Sequence, residues 1–366
     1  MITPFATKNK TGRAVQMNKK AWIILSLGCL LSCATHADMP KITGKPVIDA
    51  PAILEWPLDK GAALPALHDP GSNTLYDLHG KVDQCDLLLS TEGNYHMALR
   101  DIWPLLLAKF KDDPLHNALY TTSPPVVLQQ LEKGLVQFDN LDISCRPSVA
   151  VANQTVMDKL LAAGATEGEI RPLYEDRGIV ILVKKANPKH IASVWDLARA
   201  DVRLVTPNPE LEPGAYQNYL DAIYQSAKAD PNPPQGWTAE KLIDTIFNGA
   251  SGDALKWLAG PRIHHRDEPW SVAHGRADAA LILYHLGRYS KKSFPDTFDM
   301  VALAGTLAEP QALPGSKVTR RFVVALKGNW SAKQKAAQAA LVETLMSDDF
   351  TQALVRHGLK RPAPAP

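Results

Sequence analysis

The densest run of chemically capable side chains is Arg262-Ile263-His264-His265-Arg266-Asp267-Glu268. Two guanidinium groups and two imidazoles so close together could grip an anion through charge-assisted hydrogen bonds. Adjacent histidines followed by carboxylates could instead ligate a transition metal, with Glu92, His264 and His265 as the donor set. The plainer alternative is a solvated loop whose charges pair with one another. A second set of polar residues follows short apolar runs and precedes helical patterns: Ser90, Thr91 and Asn94, then Thr121, Thr122 and Ser123. Hydroxyls beside helix N-termini suit an anion, because the orphan N–H groups and the positive dipole end point the same way. Taken singly, Asn94 and Ser123 read equally well as helix caps. Pro124 and Pro125 have no N–H, so the hydroxyls would carry more of the contact there. Glu92 opposes a dianion unless Arg262 or Arg266 neutralises it, while His96 and His285, the latter beside Tyr284, keep the metal alternative open.

Familiar catalytic signatures are missing. The chain has no Gly-x-x-x-x-Gly-Lys phosphate loop, no Gly-x-Gly-x-x-Gly after a strand, no His-Glu-x-x-His and no Gly-x-Ser-x-Gly elbow. Nothing pushes toward an enzyme or implies a cofactor.

The elements that must position these residues alternate. A strand signal at Asp86–Ser90 is followed by a helical stretch over Tyr95–Phe110, with Leu99, Ile102, Trp103 and Leu106 at helical spacing. A strand at Asn117–Thr121, a helix capped at Ser123 and ended by Gly134, a strand near Asp139–Ser144, a helix at Thr155–Ala163 and a strand at Gly178–Val183 complete one series. A second series has a strand at Val202–Thr206, helices at Gly214–Ser226, Thr238–Phe247, Asp253–Leu258 and Trp270–Gly275, and a strand at Ala279–Tyr284. A strand at Thr319–Leu326, a helix opened by the Ser331/Gln334 capping box, and Asp348–His357 close the chain. Short alternating strand–helix units predict an α/β fold with mostly parallel sheets flanked by helices. In such sheets ligands bind at the C-terminal strand ends, where Ser90 and Thr122 fall.

Composition fits this picture. With 366 residues, 45% hydrophobic and 21% charged, the chain is globular and long enough for two domains. A net charge of +2 excludes the broad basic surface of a nucleic-acid binder. Residues 1–37 hold five basic side chains and no acidic one, which leaves 35 basic against 38 acidic residues, net −3, from Asp38 onward. That segment reads as a signal peptide. Lys19-Lys20 precede the 11-residue apolar run Ala21–Leu31, and Thr35-His36-Ala37 supplies small cleavage-site residues. The true start is Met17 if residues 1–16 are an over-extension, and Leu30-Leu31-Ser32-Cys33 offers an alternative lipid-anchored end. Export predicts a periplasmic protein, in which Cys85 and Cys145 form a disulfide, two buried free thiols being the alternative.

The order of pieces resembles the type II periplasmic solute-binding proteins, and within them the molybdate/tungstate-type branch of ABC-transporter binding proteins. The resemblance spans Asp83–Lys360. It rests on Leu89-Ser90-Thr91, Thr121-Thr122-Ser123 running into Gln129–Gly134, Pro213-Gly214-Ala215-Tyr216, Gly275–Ala280 leading to Tyr284, and the closing Phe350–Gly358. It implies two lobes, one from 83–182 and 319–366 and the other from 183–318, with residues 38–82 as an N-terminal arm. Hinge strands are implied near Gly178–Lys184 and Thr319–Lys327. It also implies an oxyanion held by Ser90 or Thr91 and Thr122 or Ser123 in one lobe. The other lobe would contribute N–H groups near Gly214-Ala215, a backbone group near Glu268-Pro269, and the Tyr284 hydroxyl. Glu92 and the His264–Arg266 string depart from that pattern. The expected function is capture of a small anionic solute by a monomeric protein that presents it to an inner-membrane ABC permease. An organic anion held by Arg262 and Arg266, a metal or chelate at His264-His265, and an enzyme on the same scaffold are the alternatives.

Overall fold

In the computed structural model the first apolar run forms a strand because every side chain of Leu87–Thr91 is buried, as a central strand covered on both faces requires. The structure describes residues 39–48, 78–79, 85–116, 118–121, 128–138, 141–249, 256–260, 264–312 and 318–363. The expected signal peptide, its Met17 start and Cys33, together with Thr122, Ser123 and Arg262, lie outside these residues.

In chain order the elements are Val47–Ile48 (β1), Leu78–His79 (β2), Leu87–Thr91 (β3), His96–Ala108 (α1), Ala118–Thr121 (β4), Leu128–Lys133 (α2), Val136–Phe138 (β5), Leu141–Ile143 (β6), Val149–Ala152 (β7), Gln154–Ala162 (α3) and Thr166–Glu175 (β8). Then come Ile179–Lys184 (β9), Leu204–Thr206 (β10), Pro213–Ala229 (α4), Ala239–Ile243 (α5), Trp257–Ala259 (β11), His264–Ala273 (α6), Ala279–Leu283 (β12), Tyr284–Ser293 (α7) and Phe298–Ala302 (β13). Arg320–Leu326 (β14), Ala332–Met346 (α8) and Asp348–Arg356 (α9) close the chain.

Two six-stranded sheets result, ordered β2-β4-β3-β7-β14-β8 and β1-β11-β10-β12-β9-β13, and helices flank both. The protein is therefore two-lobed α/β. Its pairing is mixed. Parallel contacts run through β4-β3-β7 and β1-β11-β10-β12, whereas β8, β9, β13 and β14, the strands next to the lobe crossings, pair antiparallel. The chain leaves the first sheet after Glu175 and returns at Arg320. An outward crossing at 182/183 would cut β9, whose residues Ile179–Val183 all pair with β12, so the crossing lies at 176–178. The arm touches both sheets: β1 adds an edge strand beside β11, and β2 beside β4.

Local departures from expectation have physical causes. Arg266–Pro269 lie on α6, not in a loop, because Glu212 accepts the first-turn N–H of His264 at 2.7 Å and anchors the helix start. Trp257 and Leu258 are strand because both are buried between neighbouring strands. Cys85 and Cys145 are bridged, their Cα atoms 5.5 Å apart, and they lie in a small apolar cluster with Leu88 and Leu119.

Candidate functional site

At the end of β3 the chain turns into a single 3-10 turn, Gly93–Tyr95, that feeds α1, and this puts Glu92, Gly93 and Asn94 on the wall of a cavity of about 790 Å³. The neighbouring strand β7 does the same. Asn153 follows it, accepts the N–H of Val156 at 3.0 Å as the cap of α3, and lines the cavity with Gln154 and Thr155. The second lobe supplies Glu212, Gly214 and Ala215 at the start of α4, Tyr219 two turns further along it, and His264 and His265 at the start of α6. Val318–Phe322, at and just beyond the return crossing, close the remaining side. The cavity thus lies between the sheets, with helix N-termini from both lobes on its wall. Such ends favour negative charge.

Two carboxylates share that wall, and each has a cationic or imidazole partner. Glu92 Oε2 lies 2.7 Å from Arg321 Nη2 and accepts a second hydrogen bond from Asn94 Nδ2 at 3.0 Å. Burial works against the Arg321 charge, but Glu92 holds its pKa above the ordinary arginine value. Glu212 uses both oxygens on His264, one for its backbone N–H and the other, at 3.0 Å, for Nδ1. His265 is held neutral: burial first, then His264, His96, Arg266 and His285, depress its pKa well below the usual histidine value. Burial likewise pushes His285 down to about 3.

The expected contacts divide. Asn94, Gly214, Ala215, Glu92, His264 and His265 come together on the cavity wall. Ser90 and Thr91 do not line it: both are buried in β3, and the Thr91 hydroxyl is 2.8 Å from that of Tyr95. Glu268 is fully buried behind the wall, where burial, then Glu212 and Asp267, raise its pKa well above the carboxylate norm. Arg266 is half-buried and off the wall. Tyr284 is buried as the first residue of α7, its ring against Gly358, so its hydroxyl is not offered to the cavity. The metal set fails on geometry. Glu92 is committed to Arg321, and among the described residues no three His, Cys, Asp or Glu side chains are placed to hold an ion.

Residues that sequence reasoning passed over complete the wall: Asn153, Glu212, Tyr219 and Arg321. Three carried a readable signal. Asn153 follows the apolar run Val149–Ala152 in the same strand-then-cap format as β3, and Glu212 precedes a proline at the first helical position. Arg321 is a charge at the edge of the apolar run Phe322–Leu326. Tyr219, in the middle of a helical pattern, carried none.

Known proteins resemble this chain over part of its sequence and in its fold. The thiosulfate-binding protein of Escherichia coli is 44% identical over 59 residues, 16% of this chain and 17% of that protein, so the chain spans about one sixth of the curated relative it matches. The sulfate-binding protein SubI from Mycobacterium tuberculosis is 14% identical, with a TM-score of 0.50 over 77% of this chain and 88% of that one. Peb3 from Campylobacter jejuni is 20% identical, with a TM-score of 0.46 over 75% of this chain and all of that one. At these identities the structural likeness speaks for the fold alone, which is that of the two-lobed periplasmic binding proteins. Residues 118–360, well over half of the sequence, match the family of bacterial extracellular solute-binding proteins, and the chain belongs to that family.

Proposed function

We propose that the protein is the periplasmic substrate-binding component of an ABC transporter, taking a small oxyanion into the cavity between its lobes and handing it to an inner-membrane permease. The convergence of helix starts from both lobes on one cavity carries this reading. Helix N-termini bind an anion without supplying net charge, and donors from both lobes let one ligand favour the closed arrangement. The thiosulfate-binding relative is in keeping with an oxyanion. Molybdate and tungstate, expected from the sequence, belong to the same class. No catalytic step is assigned, and the protein acts as a monomer.

Isothermal titration of the mature protein with molybdate, tungstate, sulfate, thiosulfate and phosphate, with and without chelator, tests the reading. Binding of at least one oxyanion, unchanged by chelator, is expected. Silence from all of them would sink it. The cavity volume of about 790 Å³ favours one second reading, since pockets of roughly 300–1,000 Å³ hold whole organic molecules and a tetrahedral oxyanion needs far less. An organic anion would then fill the space, with its charged group against the helix starts.

A further inference from the structure

Among the described residues the cavity wall carries no surplus of positive charge for a dianion. Arg321 is paired with Glu92, and Arg320 with Glu175 on the neighbouring strand. His264 is bound to Glu212, and His265 is held neutral. The Glu92 carboxylate is the informative group. One oxygen, Oε2, takes both the Arg321 guanidinium at 2.7 Å and the Asn94 amide at 3.0 Å, and the side chain remains on the cavity wall with 15% of its surface exposed. Among the described residues no donor reaches the second oxygen, Oε1. A carboxylate held in an ion pair accepts hydrogen bonds and donates none.

We infer that Glu92, held by Arg321 and Asn94, selects an anion that brings its own hydrogen-bond donor to the wall: a protonated oxyanion or a hydroxyl-bearing organic anion, in preference to a fully deprotonated oxyanion. This rests on the anion-binding reading above and narrows it. A fully deprotonated dianion such as sulfate or molybdate has acceptors only, so it meets Glu92 acceptor to acceptor and charge to charge. An anion with an O–H turns the same contact into a charge-assisted hydrogen bond to Oε1. Sites built to bond a ligand O–H reject analogues lacking it far more strongly than sites that discriminate by size.

The test ranks four ligands by titration calorimetry at pH 7.5 against wild type and Glu92→Gln: inorganic phosphate, which keeps a proton there; sulfate and molybdate, which do not; and glycerate, a hydroxyl-bearing carboxylate. Wild type should bind phosphate or glycerate at least about tenfold more tightly than sulfate and molybdate. Whichever of the two is tighter identifies the source of the donor. In Glu92→Gln the amide can donate to an aprotic anion and the Arg321 charge is released. Sulfate and molybdate should then gain at least about tenfold, and the preference should collapse. Sulfate or molybdate binding to wild type as tightly as phosphate and glycerate overturns the inference and leaves the anion-binding function standing, even if the variant fails to fold. An unchanged ranking in Glu92→Gln overturns it equally. No heat from any of the four in wild type overturns it, and the wider panel, thiosulfate and tungstate included, then decides the function separately.

Discussion

Arg321 and Glu92 stabilise each other on the cavity wall, with only 11% and 15% of their side chains exposed. Removing one partner of so shielded a pair leaves the other charge uncompensated, which costs about 3 kcal/mol or more. Arg321→Met should lower stability by that order and abolish anion binding. Adding Glu92→Gln to it should restore most of the stability, and a double-mutant cycle by urea unfolding measures the coupling. Simple additivity of the two changes would refute it. Glu268 is a different case, because its two oxygens are buried with no hydrogen-bond partner among the described residues. Its pKa is raised in the folded protein by burial, so folding favours the protonated form. The stability it contributes is complete below the unfolded value of 4.5 and is lost as pH rises toward the folded pKa, by about 1.4 kcal/mol per unit. Buried Asp176 shifts the same way. Glu268→Gln should therefore gain on wild type between pH 5 and pH 8, read from denaturation midpoints at both values. An equal offset at the two pH values would show that the carboxyl does not titrate as burial dictates.

Helix starts do two jobs here, and α3 shows both. Asn153 caps the helix and lines the cavity, so Asn153→Ala should cost about 1 kcal/mol in thermal or denaturant unfolding and also weaken anion binding. Asn153→Ser restores the cap and should recover the stability; a variant as stable as wild type in the alanine form would remove the cap from the account. Gly260 illustrates a backbone constraint: a Cβ there would run into the side chain of Asp267, so the approach to α6 depends on its absence. How legible such elements are follows from the strength of their local pattern. β3, α8 with its capping box, and the start of α4 are fixed by burial, capping and proline chemistry that the sequence displays. β8 is not, because Ile170 and Pro172 are the only breaks in a polar pattern before Leu173 and it forms by pairing with β14, more than a hundred residues away. The His264–Glu268 string is helical because of Glu212, a contact spanning 52 residues that no local period announces. The same non-locality put Tyr284 into the site: it follows a strand end, and only the packing of its ring against Gly358 decides that it faces away.

At the scale of the whole molecule two cross-links bear on its mechanics. The Cys85–Cys145 bridge closes a loop of 60 residues around β3 and β4, and its reduction should lower stability by about 2–4 kcal/mol in urea, with intact mass under non-reducing conditions confirming the bridge. The second link is Asp176, at the outward crossing between the sheets. Its backbone N–H donates to the Thr319 carbonyl at 3.1 Å. Its carboxylate accepts the Thr319 N–H at 3.0 Å and the Gly178 N–H at 2.9 Å, as well as the Thr319 hydroxyl. The two crossing segments are thereby tied into one joint, in which Asp176 is fully buried and Thr319, two residues from Arg321, is half-buried on the cavity wall. If the lobes close on a ligand, they turn about this joint, and binding shifts the population toward the closed form. Exposed Leu161, at the C-terminal end of α3, and Leu211, just ahead of α4, lie on opposite lobes, and in protein made from Asp38 onward cysteines there can carry spin labels because its own two cysteines are bridged. Saturating anion should shorten and narrow the label-to-label distance distribution in wild type. Asp176→Ala leaves two N–H groups and a hydroxyl without their acceptor, at a cost of about 1–3 kcal/mol, and should broaden the distribution in the absence of ligand. A distance unmoved by ligand would eliminate closure as the working motion, and an unbroadened distribution in Asp176→Ala would move the joint elsewhere.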